Sequence, residues 1–331
     1  MLVSIVNMNS VVPKNPDNSR SEIHFFLKNH FNYFAPIWFK HQSEWVGDAY
    51  KTFKDHDKFL ICIYLIKKTL DRYHLNNDIL SMKEFYLKDY IKINEYSISE
   101  ISKSLYMTKE TTRRKIVELE KIGAIKRIRK KIILNQNILT TLKPIDSTKR
   151  TAKMLAELSL LLCKQKILKK DLSSEFIHAH IVQNFSYCWR LFYELQIPII
   201  TNWKKYFKDI ETWHIWTTVT SGDYIKKKDT FYSKNMKKIL KNTATNIGLN
   251  AMTISNITNI PRPTVIRKLK SLIESGHLVI DKLKNYRNSK LKKKEMNNIF
   301  KKNFLIATDC IVNNYNEFIS LENSFLEQNS K

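Results

Sequence analysis

The chain has 331 residues, of which 43% are hydrophobic and 11% aromatic, enough apolar surface for two or three cored domains. Its 57 Lys and Arg against 31 Asp and Glu give a formal charge of +26, a self-repulsion suited to a polyanionic partner, although part of the lysine excess accompanies a general richness in Asn and Ile. The single, scattered cysteines Cys62, Cys163, Cys188 and Cys310 make no CxxC pair, and the five glycines are too dispersed for a phosphate-cradling loop, which argues against a disulfide framework, a zinc site and the standard nucleotide-loop enzymes.

Taken from the start, MLVSIVNMNSVVPKN has neither a basic n-region nor a long apolar run, and the apolar stretches 61–66 and 158–163 fall short of a bilayer span. Neither export nor membrane insertion is expected, and a cytoplasmic, nucleoid-associated protein fits. Residues 1–20 read as an arm. From 21 to 143 we expect a helical segment opening at Ser21 and then a compact motif near 98–123. Within ISKSLYMTKETTRRKIVELEKIG, residues 101–123, Ile101 and Leu105 share one face of a short helix. A turn passes through Tyr106 and Met107, and Thr108 caps a second helix whose Thr112, Ile116 and Leu119 point inward until Gly123 ends it. That leaves Lys109, Glu110, Thr111, Arg113 and Arg114 outward. The following AIKRIRKKIIL alternates in part and is heavily basic, as a β-hairpin touching phosphate would be.

Pro144 and residues 146–150 mark a break, after which KMLAELSLLLCKQKILKK reads as a helix connecting the halves, within a linker at 144–173. Ser173 or Ser174 starts a further helix carrying Phe176, Ile177, Ile181, Phe185 and Trp189 inward. A second unit is expected over 174–295 with its own motif near 251–276. There Ile254, Ile257 and Ile260 line a first helix, Asn259 takes the turn, and Pro261 and Pro263 sit in the first turn of a second helix with a Val265, Leu269, Leu272 stripe. Its outward set is Arg262, Thr264, Ile266, Arg267 and Lys268, and after Gly276 comes the basic HLVIDKLKNYRNSKLKKK. Residues 296–331 are helical in period and suited to pack on the second copy or on another subunit.

The two motifs align without a gap, 101 against 254, matching Ile101/Ile254, Ser102/Ser255, Thr111/Thr264, Arg114/Arg267, Lys115/Lys268, Leu119/Leu272 and Gly123/Gly276. Upstream, with the offset changed by one residue, the register continues through His24/His178, Phe31/Phe185, Tyr33/Tyr187, Phe53/Phe207, Lys54/Lys208, Asp55/Asp209 and Ile61/Ile215. We read two copies of one unit, at roughly 21–140 and 174–295.

Both motifs resemble the winged helix-turn-helix of bacterial transcription regulators of the MarR, IclR and Crp/Fnr type, with their I-A-x-x-x-x-[IM]-[ST/P]-x-x-T-V-x-R-x-[LI]-x-x-L-x-x-x-G-x-[IL] pattern. Tyr106 stands where that turn often holds glycine, so a bulky residue must take positive φ, whereas Asn259 adopts it more readily. Thr112 stands in the usual valine position. The resemblance implies recognition helices near 108–122 and 261–275, duplex DNA as partner, and two reading heads in one chain acting as a pseudo-dimer. The DNA-contacting set it implies is Lys109, Thr111, Arg113, Arg114, Lys126, Arg127, Arg129 and Lys130 in the first copy and Arg262, Thr264, Arg267, Lys268, Lys284 and Arg287 in the second. The fold class expected is therefore mainly α: two tandem helical plus winged helix-turn-helix units, related by internal duplication, with small β-hairpin wings.

Two other functions stay open from sequence: a plasmid or phage replication initiator gripping repeated origin DNA, and a non-catalytic chromosome or protein-interaction adaptor. A homodimer through the 151–170 helix or the C-terminal helix is a further possibility. The run DHD at 55–57 and the pair His178 and His180 have the ligand types of a metal site but no third ligand at a recognised spacing. Trp189, Trp203, Trp213 and Trp216 could line an effector pocket but fit a core better. No local motif assembles a nucleophile and base, so neither catalysis nor a cofactor is expected.

Overall fold

The computed structural model describes residues 16–87, 90–93, 96–129, 131–135, 142–168, 171–226, 249–289 and 294–329. It is mainly helical, with two small antiparallel sheets. The first half runs α1 (Pro16–Asn29), α2 (Phe31–Phe53), α3 (His56–Leu75), α4 (Met82–Tyr86), β1 (Tyr90–Ile93), α5 (Ile98–Ser104), α6 (Lys109–Lys121), β2 (Ile125–Ile128) and β3 (Lys131–Asn135). Helix α7 (Ile145–Lys164) follows. The second half runs α8 (Ser174–Gln183), α9 (Phe185–Phe207), α10 (Ile210–Lys226), α11 (Ala251–Thr258), α12 (Arg262–Glu274), β4 (Leu278–Ile280), β5 (Tyr286–Asn288) and the long α13 (Lys294–Asn329).

The corners between α2 and α3 and between α9 and α10 are made the same way. Each 23-residue helix ends on a lysine in the left-handed region, Lys54 at φ 53° and Lys208 at φ 73°. For a side chain bearing a Cβ that conformation costs ~1–2 kcal/mol. The next residue recovers a comparable amount, since an aspartate N-cap contributes ~0.5–2 kcal/mol. Asp55 Oδ1 accepts the amides of Asp57 at 2.9 Å and Lys58 at 3.2 Å, and Asp209 Oδ1 accepts the amide and hydroxyl of Thr212, both at 2.7 Å. Lys-Asp is thus a sharp-turn signal written twice.

The long helices pack across the halves. Helix α2 lies chiefly against α10, and α9 chiefly against α3; α1 rests on α13, and α8 on α7. Aromatic rings fill the crossings: Trp45 meets Phe192 at 5.5 Å between centroids, Trp203 meets Trp216 at 5.4 Å, and Trp189 stacks on Phe192 at 4.3 Å. Trp189, Trp213 and Trp216 are each 1% exposed and belong to one continuous apolar core. The cavity bordered by Trp189 is about 20 Å³, room for a water molecule and far below a metabolite. No helix among the described residues is long and apolar enough to cross a membrane.

Several local expectations need correction. Helix α1 already runs from Pro16, upstream of Ser21, and residues 146–150 lie inside α7, for which Pro144 is the N-cap. The helix capped by Ser173 stops at Gln183 because Asn184, at φ −111° and ψ 41°, leaves helical geometry before α9 begins. Phe176 falls on the outer side of α8 and is 36% exposed. Ile257 is 41% exposed and Thr258 is buried in its stead, its hydroxyl donating to the Ile254 carbonyl at 2.8 Å so that no polar group is stranded. Helix α13 packs on α1 as well as on α9, so it joins the halves.

Two buried histidines tie α2 to its neighbours. His214 Nε2 donates to the Ser43 carbonyl at 3.1 Å, and His41 Nε2 lies 3.0 Å from the Thr151 hydroxyl. Burial drives both imidazoles down to about 3, helped by the charge of His56 at His214 and of Arg150 at His41. Between that value and the ordinary 6.5 the unfolded chain binds protons that the folded chain refuses. Stability is therefore fully present above about pH 6.5 and falls as the pH drops, by ~1.4 kcal/mol per pH unit for each histidine. Urea unfolding measured from pH 7 to pH 4 should show this decline, and His214→Gln or His41→Gln should each remove one proton from its slope.

Candidate nucleic-acid interface

Helix α5 opens on Ser97, whose hydroxyl accepts the Glu100 amide at 3.4 Å, and buries Ile101 in the core. The chain then turns at Tyr106, at φ 50°, with the Met107 amide donating to the Ser102 carbonyl at 2.9 Å. The Lys205 ammonium, from α9, sits 5.3 Å from the centre of the Tyr106 ring, a cation–π contact that offsets part of the strain. Thr108 caps α6 by accepting the Thr111 amide at 3.0 Å. Thr112 is fully buried, and its hydroxyl donates to the Thr108 carbonyl at 2.9 Å, so threonine fills a valine-sized place without an unpaired polar atom. Ile116 and Leu119 complete the inner stripe.

The same construction recurs at α11 and α12. Asn250 caps α11 by accepting the Thr253 amide at 2.9 Å, Asn259 takes the left-handed turn at φ 58°, and Val265, Leu269 and Leu272 are buried. Pro261 is the N-cap of α12 and Pro263 lies in its first turn, where a missing amide costs no intrahelical bond. Both second helices end in one hydrogen-bond pattern. Ala124 donates to Leu119 at 2.9 Å and Gly123 to Glu120 at 3.0 Å; His277 donates to Leu272 and Gly276 to Ile273, both at 2.8 Å. Gly123 and Gly276 share a φ of 71°, as this C-terminal motif requires.

Each helix pair is followed by a hairpin. In the first half β2 and β3 pair with Ile125 opposite Leu134 and Ile128 opposite Lys131, and β1 adds to the far side of β3. In the second half β4 and β5 pair with Leu278 opposite Asn288, and a lone bridge from Leu249 to Tyr286 stands where β1 would be. Leu249 approaches α10 at Gly222, where a Cβ would meet its side chain at 2.9 Å.

The outward faces are basic. On α6, Lys109, Arg113 and Arg114 are exposed, the two arginines at 64% each; Glu110 lies 3.8 Å from Arg113 and Glu118 3.7 Å from Arg114, weak pairs at such exposure. On α12, Arg262 and Arg267 are exposed and flank Ile266. Lys126 and Arg129 are exposed on the first hairpin and Lys284 at the tip of the second. Lys130 lies outside the described residues. Other expected contact residues are placed differently. Thr111 and Thr264 are half-buried. Arg127 is clamped to Glu120 at 2.6 Å, which staples β2 to α6, and Arg287 is held by Asp281 at 3.0 Å within the second hairpin.

Lys268 departs most from an outward role: its ammonium turns to Asp209 Oδ2 at 2.5 Å and the side chain is 16% exposed. Lys115 does the same in the first half, meeting Asp55 Oδ2 at 2.7 Å with 15% exposure. Burial works against the Lys115 charge, but Asp55 and Glu118 more than compensate and hold the ammonium above its ordinary value. In both aspartates one oxygen caps the core helix and the other anchors the lysine. Lys270 and Lys282, outside the expected contact set, are exposed on the same surfaces. Helical spacing from Arg267 signals Lys270, whereas Lys282 needs the length of the hairpin.

Among the described residues no group of three or more His, Cys, Asp or Glu side chains is placed to hold a metal ion. Within DHD, Asp55 holds Lys115, His56 Nδ1 lies 3.4 Å from Glu211, and Asp57 accepts from Lys204 at 2.7 Å. His178 is bonded to Thr148 at 3.2 Å and His180 to Asn184 at 3.1 Å. No family model, curated protein or solved structure matches this chain.

A Cβ added at Gly123 would meet only the Asn135 side-chain nitrogen, at 3.9 Å, so replacing this glycine costs backbone conformation and little else. Gly123→Ala and Gly276→Ala should each lower the unfolding free energy by ~1–2 kcal/mol, read as a drop in urea midpoint without a change in slope.

Proposed function

We propose that the chain is a sequence-specific duplex-DNA-binding transcription regulator built from two winged helix-turn-helix units, copies of one ancestral unit, that act from a single chain as a pseudo-dimer. The observation that carries this reading is a repeated helix–turn–helix–hairpin whose second helix buries an apolar stripe and turns arginines outward in both places: Arg113 and Arg114 on α6, Arg262 and Arg267 on α12. A helix set this way offers its N-terminal half to a major groove, and a basic hairpin beside it reaches the phosphates.

The duplication draws support from matched local structure as well as from matched letters. The left-handed residues Tyr106 and Asn259 share the motif register, as do Gly123 and Gly276, and Lys54 and Lys208 share the upstream one. The reciprocal packing of α2 on α10 and α9 on α3 is the relation expected of a two-fold dimer whose subunits have been joined. In this reading Lys109, Arg113, Arg262 and Arg267 discriminate bases, while Lys126, Arg129, Lys284 and their neighbours add affinity without sequence preference. Lys268 contributes by setting the tilt of α12 rather than by touching DNA. Because Lys109, Glu110 and Arg113 stand against Arg262, Pro263 and Ile266, the two half-sites differ, and the target is not a perfect palindrome.

Selection of bound fragments from genomic DNA, followed by footprinting, tests the reading. The wild type should give a two-part footprint whose affinity falls steeply with salt, by ~10³ to 10⁵ between ~50 and ~200 mM for about 6 to 10 phosphate contacts. Arg113→Ala and Arg267→Ala should each erase a different half, at ~1–3 kcal/mol apiece. Selected sites in promoters fit a regulator, and clustered direct repeats at an origin would make the chain an initiator instead. Salt-insensitive or absent duplex binding, or a footprint unchanged in both variants, overturns the assignment of these helices.

A further inference from the structure

The first turn of α3 carries more charge contacts than capping requires. Asp55 binds Lys115 of α6, and Lys58 binds Glu118 of the same helix at 3.0 Å, so this turn grips the first helix-turn-helix. The two residues between them reach the other half. Asp57 accepts from Lys204 of α9 at 2.7 Å, and His56 faces Glu211 in the first turn of α10 at 3.4 Å. Asp209, two residues before Glu211, grips Lys268 of α12. Ion pairs thus tie α6 to the first turn of α3, α3 to α9, and the start of α10 to α12, while His56 and Glu211 face each other between α3 and α10.

The arrangement is nearly reciprocal. In the upstream register Glu211 corresponds to Asp57 and Tyr50 to Lys204. Tyr50 lies at the mirrored place, its ring 4.9 Å from that of His56, and burial together with the nearby Glu211 charge raises its phenol. Burial alone would raise the Glu211 carboxyl too, yet His56, its own backbone amide and Lys268 hold it at about 2. One side of the junction is therefore a lysine–carboxylate pair, and the other a carboxylate in an aromatic and imidazole setting.

We infer that this junction fixes the orientation of one helix-turn-helix relative to the other, with Asp57 and Lys204 as its positioning pair. The Lys204 side chain is 7% exposed, so its ammonium has lost most of its water and depends on Asp57 at one geometry. Sliding the halves past each other leaves a buried charge unpaired, a penalty added to that of disrupting the apolar packing between the same helices. The pair is consequently a registry device more than a source of stability. Its consequence for DNA, a fixed spacing between half-sites, rests on the function proposed above; its consequence for the geometry of the chain does not.

The test places nitroxide labels at corresponding exposed positions, Val117→Cys on α6 and Lys270→Cys on α12, in the full chain carrying Cys163→Ala and Cys310→Ala, and measures the distance distribution by pulsed electron resonance. The Lys204 parent and Lys204→Arg should give one narrow distribution, and Lys204→Met and the isosteric Asp57→Asn a broad or shifted one while circular dichroism stays native. Distributions in both folded variants as narrow and as centred as the parent's overturn the inference. In parallel, duplexes with the two selected half-sites set at different separations should be discriminated ~10-fold by the wild type and under ~3-fold by Lys204→Met, with affinity for an isolated half-site unchanged. Failure of the wild type to bind any duplex defeats the proposed function alone, since the distance measurement still decides the junction. Equal spacing discrimination by the wild type and Lys204→Met, when both bind, defeats the junction alone.

Discussion

A carboxylate has two oxygens, and at Asp55 and Asp209 they are given different tasks. Oδ1 accepts the free amides at the start of a core helix, and Oδ2 holds a lysine from α6 or α12. The cap is obligatory in each place, because the preceding lysine has been forced into left-handed geometry to make the corner. The anchor adds an ion pair to the apolar packing that joins the small motif to the long helices. Remove the aspartate and both are lost together, since the corner relaxes as the lysine is released. The arrangement explains why Lys115 and Lys268, which look like surface cations in a basic stretch, are mostly buried.

This division also sorts the positive charge. Lysines that face inward are matched by carboxylates, as with Lys115, Lys204 and Lys268. Lysines and arginines on the outer faces of α6 and α12 and at the hairpin tips are left to solvent or to long, exposed pairs such as Arg113 with Glu110. A formal charge of +26 is thus not spread evenly. Several carboxylates, Asp55, Asp57 and Asp209 among them, are taken up by partners inside the frame, while Lys109, Arg113, Arg262 and Arg267 face outward.

Motif-level features were legible in the sequence because they are local. The buried stripes of α6 and α12, the Thr108 cap, the left-handed Asn259 and the terminal glycines follow from helical period and turn chemistry within a dozen residues. Asp55/Asp209 and Lys115/Lys268 were visible as matching letters, but that each aspartate holds the lysine 59 or 60 positions later is a tertiary fact with no local trace. DHD illustrates the same limit. Three ligand-type residues in a row look like chemistry, and only the fold reveals that they point at three different helices. Phe176 and Ile257 failed for a simpler reason: near a helix end, an apolar residue can fall on the open side without breaking the pattern that predicted it inside.

The crossing of α2 onto α10 and of α9 onto α3 has a consequence for how this chain is made. The principal apolar partner of α2 is α10, which is synthesised more than 150 residues later, so the first half leaves the ribosome with one face of its longest helix uncovered. Local contacts can form α5, α6 and their hairpin early, yet the frame beneath them stays incomplete until α10 arrives. The frame can therefore close only once α10 has been made.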